Sequence, residues 1–164
     1  LGDGSQFGLS ILYSEETEPL STVGPLTLIP SLPDTFLVAN ADILTDLDIA
    51  KLFNCHVQSK CKLTVGMYQR TDRIDYGVLQ IGPDNRVTTF SEKPDYHFLV
   101  SMGIYVCSRA ALDFVPPRTR FGFDDLMAAL LKNGEPINTT STSARSTNSA
   151  KSDLGKSRTV FPRC

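Results

Sequence analysis

The chain has 164 residues, 41% of them hydrophobic and 21% charged, with a formal net charge of −2. That is enough apolar sequence for one domain with a real core. No apolar run approaches the ~20 residues of a membrane span, and no global positive charge calls for nucleic acid.

Four cysteines, Cys55, Cys61, Cys107 and Cys164, form no C-x-x-C pair. This argues against zinc and for reduced thiols in a cytoplasmic protein. The chain starts at Leu1 without a basic-then-apolar leader, so a fragment or processed piece is expected. Charge is uneven: residues 138–164 carry a net +4, against −6 for residues 1–137. The 138–164 segment is also rich in Ser and Thr. It is expected to be a disordered tail unrelated to the domain before it, since it offers little apolar surface to offset the entropy of ordering.

Gly2 to Gly8 reads as a glycine-rich loop, and Leu9–Tyr13 as a short strand. A loop over 15–26 follows, with one helical turn begun by Pro25 and ended by Pro30 and Pro33. Thr35 to Ala39 is an apolar run that leads into Asn40-Ala41-Asp42. A short run of this kind suggests a strand buried on both faces. Ligands in open α/β sheets bind past the carboxyl ends of such strands, where Asp42 stands. Asp42 either holds a divalent cation there or simply caps the next helix or sits in a turn.

A helix is expected from about Asp46 to Ser59, opened by Thr45 with Asp48 as a capping box. Ile49, Leu52, Phe53 and His56 share one face, which makes His56 a packed histidine rather than a ligand. Cys61–Tyr68 reads as a strand, and 69–75 as a polar connection. Tyr76–Ile81 and Arg86–Phe90 flank Gly82-Pro83-Asp84-Asn85 as a β-hairpin. Phe98–Cys107 is a strand interrupted by Gly103, which marks a bulge or a close backbone approach. Short helices are expected over 109–114, capped by Ser108, and over 125–132, capped by Asp124 and ended by Gly134. The order predicts an α/β chain with a mostly parallel sheet, flanking helices and an inserted hairpin.

With these motifs in order, residues 1–137 resemble the sugar-nucleotide pyrophosphorylase (nucleotidyltransferase) family. Gly2-Asp3-Gly4-Ser5-Gln6-Phe7-Gly8-Leu9, with Ile11 and Tyr13, matches G-D-G-x-x-[FW]-G-[LV]-x-[IL]-x-Y. Glu18-Pro19-Leu20-Ser21-Thr22-Val23-Gly24 matches the E-x-P-L-G-T-A-G loop, most like that of mannose-1-phosphate guanylyltransferases. Asn40-Ala41-Asp42 matches N-G-D, Glu92-Lys93-Pro94 matches E-K-P, and Ser101-Met102-Gly103-Ile104-Tyr105 matches N-x-G-I-Y except at its first position.

The resemblance implies a Rossmann-like nucleotidyltransferase fold, here incomplete. It implies transfer of a nucleotidyl group from GTP or dTTP to a hexose-1-phosphate, with release of pyrophosphate. Asp42 would hold Mg2+ and, with Lys93, carry the chemistry. Glu18, Pro19, Leu20, Thr22 and Gly24 would contact the nucleotide. Asn40, Tyr76, Gly77, Glu92, Lys93, Ser101 and Gly103 would contact the sugar phosphate. Homo-oligomerisation of a full-length protein stays open.

Departures from the pattern carry expectations of their own. The family's G-G-x-G-T-R-L phosphate loop and G-Y-W-x-D segment are not in this sequence, so the chain is expected to be inactive alone and marginally stable, with an uncovered strand. Val23 puts bulk where the nucleobase should lie flat, and Ser101 lacks the amide that would hold a sugar hydroxyl. A non-catalytic domain that binds sugar phosphate or nucleotide for regulation is the alternative.

Overall fold

The computed structural model describes residues 2–141 and 160–162. Its elements begin with β1 (Ile11–Tyr13), a 3-10 turn over Gly24–Leu28 and β2 (Thr35–Ala39). α1 (Ile49–Ser59), β3 (Leu63–Arg73), β4 (Gly77–Ile81) and β5 (Val87–Glu92) come next. β6 (Asp95–Ser108), a 3-10 turn over Arg109–Phe114, α2 (Phe123–Lys132), β7 (Ile137–Ser141) and β8 (Val160–Pro162) complete the set. The fold is α/β and Rossmann-like.

The main sheet has the order β2-β6-β3-β7. β2, β3 and β7 run one way, but β6 lies antiparallel between β2 and β3. The crossover from β2 through α1 to β3 therefore skips a position, and only β3 and β7 form a parallel ladder. Strand succession alone suggested adjacent parallel neighbours, so the sheet is mixed where a mostly parallel one was expected. β2 forms one edge of this sheet, so its outer ladder groups have no strand partner among the described residues.

Period-two alternation sends side chains to two apolar layers. Phe36, Val38, Leu63, Val65, Tyr105 and Cys107 pack under α2 with Phe123, Leu126 and Leu130. Leu37, Ile104 and Val106 face the other way, against Leu47 and Leu52 on the α1 side. The inner stretches of β3 and β6 are thus buried on both faces. β2, at the edge, buries Phe36 and Val38 on one face and only half-buries Thr35 and Leu37 on the other, short of the two-faced burial expected of the run before Asp42.

α1 starts at Asp48, whose carboxylate accepts the Lys51 N–H at 2.9 Å. Thr45 instead accepts from Leu47 N at 3.0 Å, inside the preceding turn. A side-chain acceptor serves whichever N–H faces it, so the expected Thr45 capping box gives way to Asp48. His56 is buried as expected, with Nδ1 2.9 Å from Thr64 Oγ1 and Nε2 3.0 Å from Ser108 Oγ. Those bonds join α1 to β3 and β6, and they occupy the Ser108 hydroxyl. No Ser108 side-chain cap reaches the 109–114 turn. α2 begins at Gly122, not Asp124, and Asp125 reaches back to the Gly122 N–H at 2.8 Å.

Two segments depart from expectation. Residues 69–73, read as a connection, continue β3 and pair with Asp95–Leu99 as a two-stranded arm. Both faces of the arm are largely exposed, and residues 69–73 carry no apolar alternation to signal a strand. The expected tail boundary at 138 falls inside β7, where Asn138–Ser141 pair with Thr64–Met67. A parallel ladder to a buried strand orders these polar residues through backbone bonds, which composition does not register. Residues 142–159 and 163–164, the rest of the expected tail, lie outside the described residues.

Candidate functional site

The carboxyl end of β2 opens into a cavity of about 260 Å3 lined by Asn40, Asp42, Ile43, Ser101, Met102, Gly103 and Tyr105. A bulge in β6 builds its floor. Tyr105 pairs with Val65 and Ser101 with Met67, so three residues of β6 span what one residue spans on β3. The bulge turns Gly103 to φ 74°, a left-handed backbone that glycine adopts without steric cost. A Cβ at Gly103 would stand 2.6 Å from Asn40 Nδ2 and 3.0 Å from Ile43 Cδ1. The Asn40 N–H donates to the Gly103 carbonyl at 3.1 Å, which locks the end of β2 to the bulge. The sequence reading of Gly103 as a bulge with a close approach is met on both counts.

Asp42 is exposed at the mouth of this cavity. It offers one hard oxygen ligand, and among the described residues no cluster of three or more His, Cys, Asp or Glu surrounds it. Such a donor set fits an ion that keeps its waters and takes phosphate oxygens, as Mg2+ does, rather than one that needs a full protein cage.

The Glu18–Gly24 loop is fastened to the start of α2. Val23 N and Gly24 N both donate to the Phe121 carbonyl at 3.0 Å, and Phe121 N donates to Leu20 O at 3.0 Å. Thr22 Oγ1 accepts the Phe123 N–H at 3.2 Å, supplying α2 with the side-chain cap that Gly122 cannot give. Leu20, Val23 and Gly24 are buried. Val23 packs in the core with Leu26 and Phe36, so its bulk is not where a nucleobase would lie. Gly24 is glycine for packing: a Cβ there would meet Leu20 Cβ at 2.8 Å and Thr119 O at 2.9 Å. Of the five nucleotide candidates, Glu18, Pro19 and Thr22 present exposed surface.

Tyr76, Gly77, Glu92 and Lys93 meet at the open end of the β4–β5 hairpin. Gly77 pairs with Glu92, and the Lys93 N–H donates to Tyr76 O at 3.3 Å. All four are exposed. They do not line the cavity at Asp42. From Asp95, next to this group, to Ser101 at the cavity is roughly 20 Å along β6 at a strand's rise per residue. The structure therefore assembles the sugar-phosphate candidates as two groups, Asn40, Ser101 and Gly103 in one and Tyr76, Gly77, Glu92 and Lys93 in the other. The extended arm of β3 and β6 keeps them apart.

Tyr105 lines the cavity and Phe123 packs behind it in the core, and neither was among the sequence candidates. Their rings lie nearly parallel, with centroids 3.6 Å apart and planes 6° from each other. Tyr105 was visible as the last residue of the Ser101–Tyr105 motif. Phe123 carried no signal, because its partner is 18 residues away in sequence and meets it only across the packed layers. A larger opening of about 440 Å3 sits at the other end of β2, floored by Leu26, Leu32, Leu112 and Val115 with Arg109 and Arg118 beside them. No candidate residue lines it.

A cavity past the carboxyl end of a strand, in a Rossmann-like sheet, is where α/β domains bind their ligands. The Nucleotidyl transferase family model matches residues 1–157, and the chain belongs to that family. It is 30% identical over 139 residues to a mannose-1-phosphate guanylyltransferase of Mycobacterium tuberculosis, a match covering 82% of this chain and 39% of that protein. It is 31% identical over 119 residues to the mannose-1-phosphate guanylyltransferase catalytic subunit beta of Dictyostelium discoideum, covering 69% of this chain and 33% of that one. The chain thus spans between a third and two fifths of these relatives' length. Among solved structures, a putative glucose-1-phosphate thymidylyltransferase from Bacillus anthracis superposes with a TM-score of 0.63 at 20% identity, covering 90% of this chain and 63% of that one. HddC from Yersinia pseudotuberculosis superposes with a TM-score of 0.54 at 24% identity, over 81% and 58%. At these identities the superpositions speak to the fold. Among the described residues no helix is long and apolar enough to cross a membrane.

Proposed function

We infer that the cavity at the end of β2 serves nucleotidyl transfer from a nucleoside triphosphate to a hexose-1-phosphate, giving a nucleotide sugar and pyrophosphate. The observation that carries this is the joint placement of Asn40, Asp42 and the left-handed Gly103 around one cavity of about 260 Å3. The family match and the names of the relatives support mannose-1-phosphate and GTP as the pair to try first.

Asp42 would hold Mg2+, which when bound screens and orients phosphate oxygens. Gly103 leaves room for a sugar ring to approach the backbone. Glu18, Pro19 and Thr22 present the exposed surface of the nucleotide loop. Lys93 would supply a compact positive charge to the sugar phosphate once the hairpin is brought over the cavity. Little covalent work falls to the protein, and positioning with electrostatics supplies the rate.

The distance between Lys93 and Asp42 favours one second reading, a domain that binds the ligands without turning them over. Isothermal titration with Mg2+ against GTP, dTTP and mannose-1-phosphate, beside Asp42→Ala, tests the site. Magnesium-dependent binding that Asp42→Ala abolishes is the expected result. Binding that survives the substitution would remove Asp42 from the site. Pyrophosphate release, which the chain alone is not expected to give, separates the two readings when measured on a full-length protein that carries the G-G-x-G-T-R-L loop.

A further inference from the structure

The Ser101 hydroxyl has one proton and two lone pairs. It gives the proton to Tyr105 Oη at 3.0 Å and accepts the Gly103 N–H at 3.2 Å. Ser101 is therefore held by Tyr105 while it holds the backbone of Gly103. That backbone in turn accepts from Asn40 N. The floor of the cavity is oriented through one buried phenol, 8% exposed.

The other face of Tyr105 leads to the nucleotide loop. Its ring stacks on Phe123, and Phe123 N–H donates to Thr22 Oγ1. Phe121, two residues earlier, is bonded to Leu20, Val23 and Gly24. Loop and ring thus share one stretch of backbone. Protein interiors are close-packed, so a displacement of the loop passes to its neighbours and is not absorbed. Where the family pattern carries Asn, this chain has Ser101, whose short side chain reaches Tyr105 and not the cavity's far wall.

We propose that Tyr105 is a positioning residue that couples the Leu20–Gly24 loop to the Ser101–Gly103 floor, so that a nucleotide at the loop strengthens capture of a sugar-1-phosphate in the cavity. This rests on the nucleotidyl-transfer reading for its ligands. Coupling of this kind is reciprocal: the sugar phosphate strengthens the nucleotide by the same factor.

Tyr105→Phe keeps the ring and its stack and removes only the hydroxyl. Titration of mannose-1-phosphate with Mg2+, with and without saturating GTP, is expected to show the gain in affinity that GTP brings reduced on the order of five-fold, the worth of one hydrogen bond. A merely structural loss would lower both affinities and leave that gain unchanged. GTP affinity measured alone is expected to stay unchanged. Ser101→Ala also removes the acceptor of the Gly103 N–H, so it should lose at least as much, and adding Tyr105→Phe to it should cost nothing further, because the phenol acts on the floor through Ser101. An unchanged gain, an equal loss for both ligands, or additive losses would each overturn the proposal.

A second arm needs no ligand. Thr22→Val is expected to displace the Gly103 amide cross-peak in a nitrogen–proton correlation spectrum of the otherwise unchanged chain, and to leave it in place in the Tyr105→Phe background. A Gly103 peak that stays put in the first case, or moves equally in both, sinks the coupling. If the unchanged chain takes neither GTP nor mannose-1-phosphate, the nucleotidyl-transfer reading fails, and this arm still decides the coupling by itself.

Discussion

His56 makes folding stability depend on pH in a calculable way. Its ring is 2% exposed and bonded at both nitrogens to neutral hydroxyls, Thr64 and Ser108. Ser108 Oγ also donates to Cys61 O at 3.4 Å, which leaves it accepting from Nε2–H. The ring is thus held neutral, and burial pushes its pKa below the ordinary value. The unfolded chain carries an ordinary histidine near pH 6.5. Between the lowered folded pKa and 6.5 the unfolded state binds more protons, so stability rises with pH there. The contribution is present above about pH 6.5 and is lost as pH falls towards the folded pKa. A full proton difference is worth about 1.4 kcal/mol per pH unit, so the loss between pH 7.5 and 5.5 reaches at most about 1.4 kcal/mol. Urea unfolding at pH 7.5, 7.0, 6.0 and 5.5 measures it, above the range in which ordinary carboxylates titrate. His56→Gln should flatten the dependence, whatever it costs in overall stability. A flat profile in the unchanged chain, or an unaltered slope in His56→Gln, would refute the reasoning.

Two further outcomes follow from local geometry. Gly103→Ala forces a side chain into a left-handed backbone and against Asn40 Nδ2; thermal unfolding should show a loss of about 1–3 kcal/mol, and titration a loss of sugar-phosphate binding. Among the described cysteines, Cys55 should alkylate first and Cys107 last. Hydrogen bonds from Thr140 and Asn138 lower the Cys55 pKa, whereas burial raises that of Cys107 to about 12. Timed iodoacetamide labelling read by peptide mass checks the order.

Local pattern and motif order in the sequence determined most of the elements. The apolar run before Asp42 became a strand of the main sheet, Gly82–Asn85 became a hairpin turn, and Gly103 became a bulge at a close approach. Each of these depends on interactions within a few residues, or on a burial pattern written into one strand. Asn40, Asp42, Ser101 and Gly103, nominated separately, do surround one cavity.

Tertiary structure decided the rest. The place of β6 between β2 and β3, and the ordering of polar β7, depend on which backbone edges find partners, and backbone hydrogen bonding is the same for every sequence. The roles of Val23 and Gly24 changed from ligand contact to packing because Phe121 and Thr119 approach from across the fold. The distance between Lys93 and the cavity is set by the length of an arm that stands outside the core and whose 69–73 strand is wholly polar. The Tyr105–Phe123 stack exists only where two layers meet. A sequence records what each residue prefers, and only the packed chain fixes which distant residue answers it.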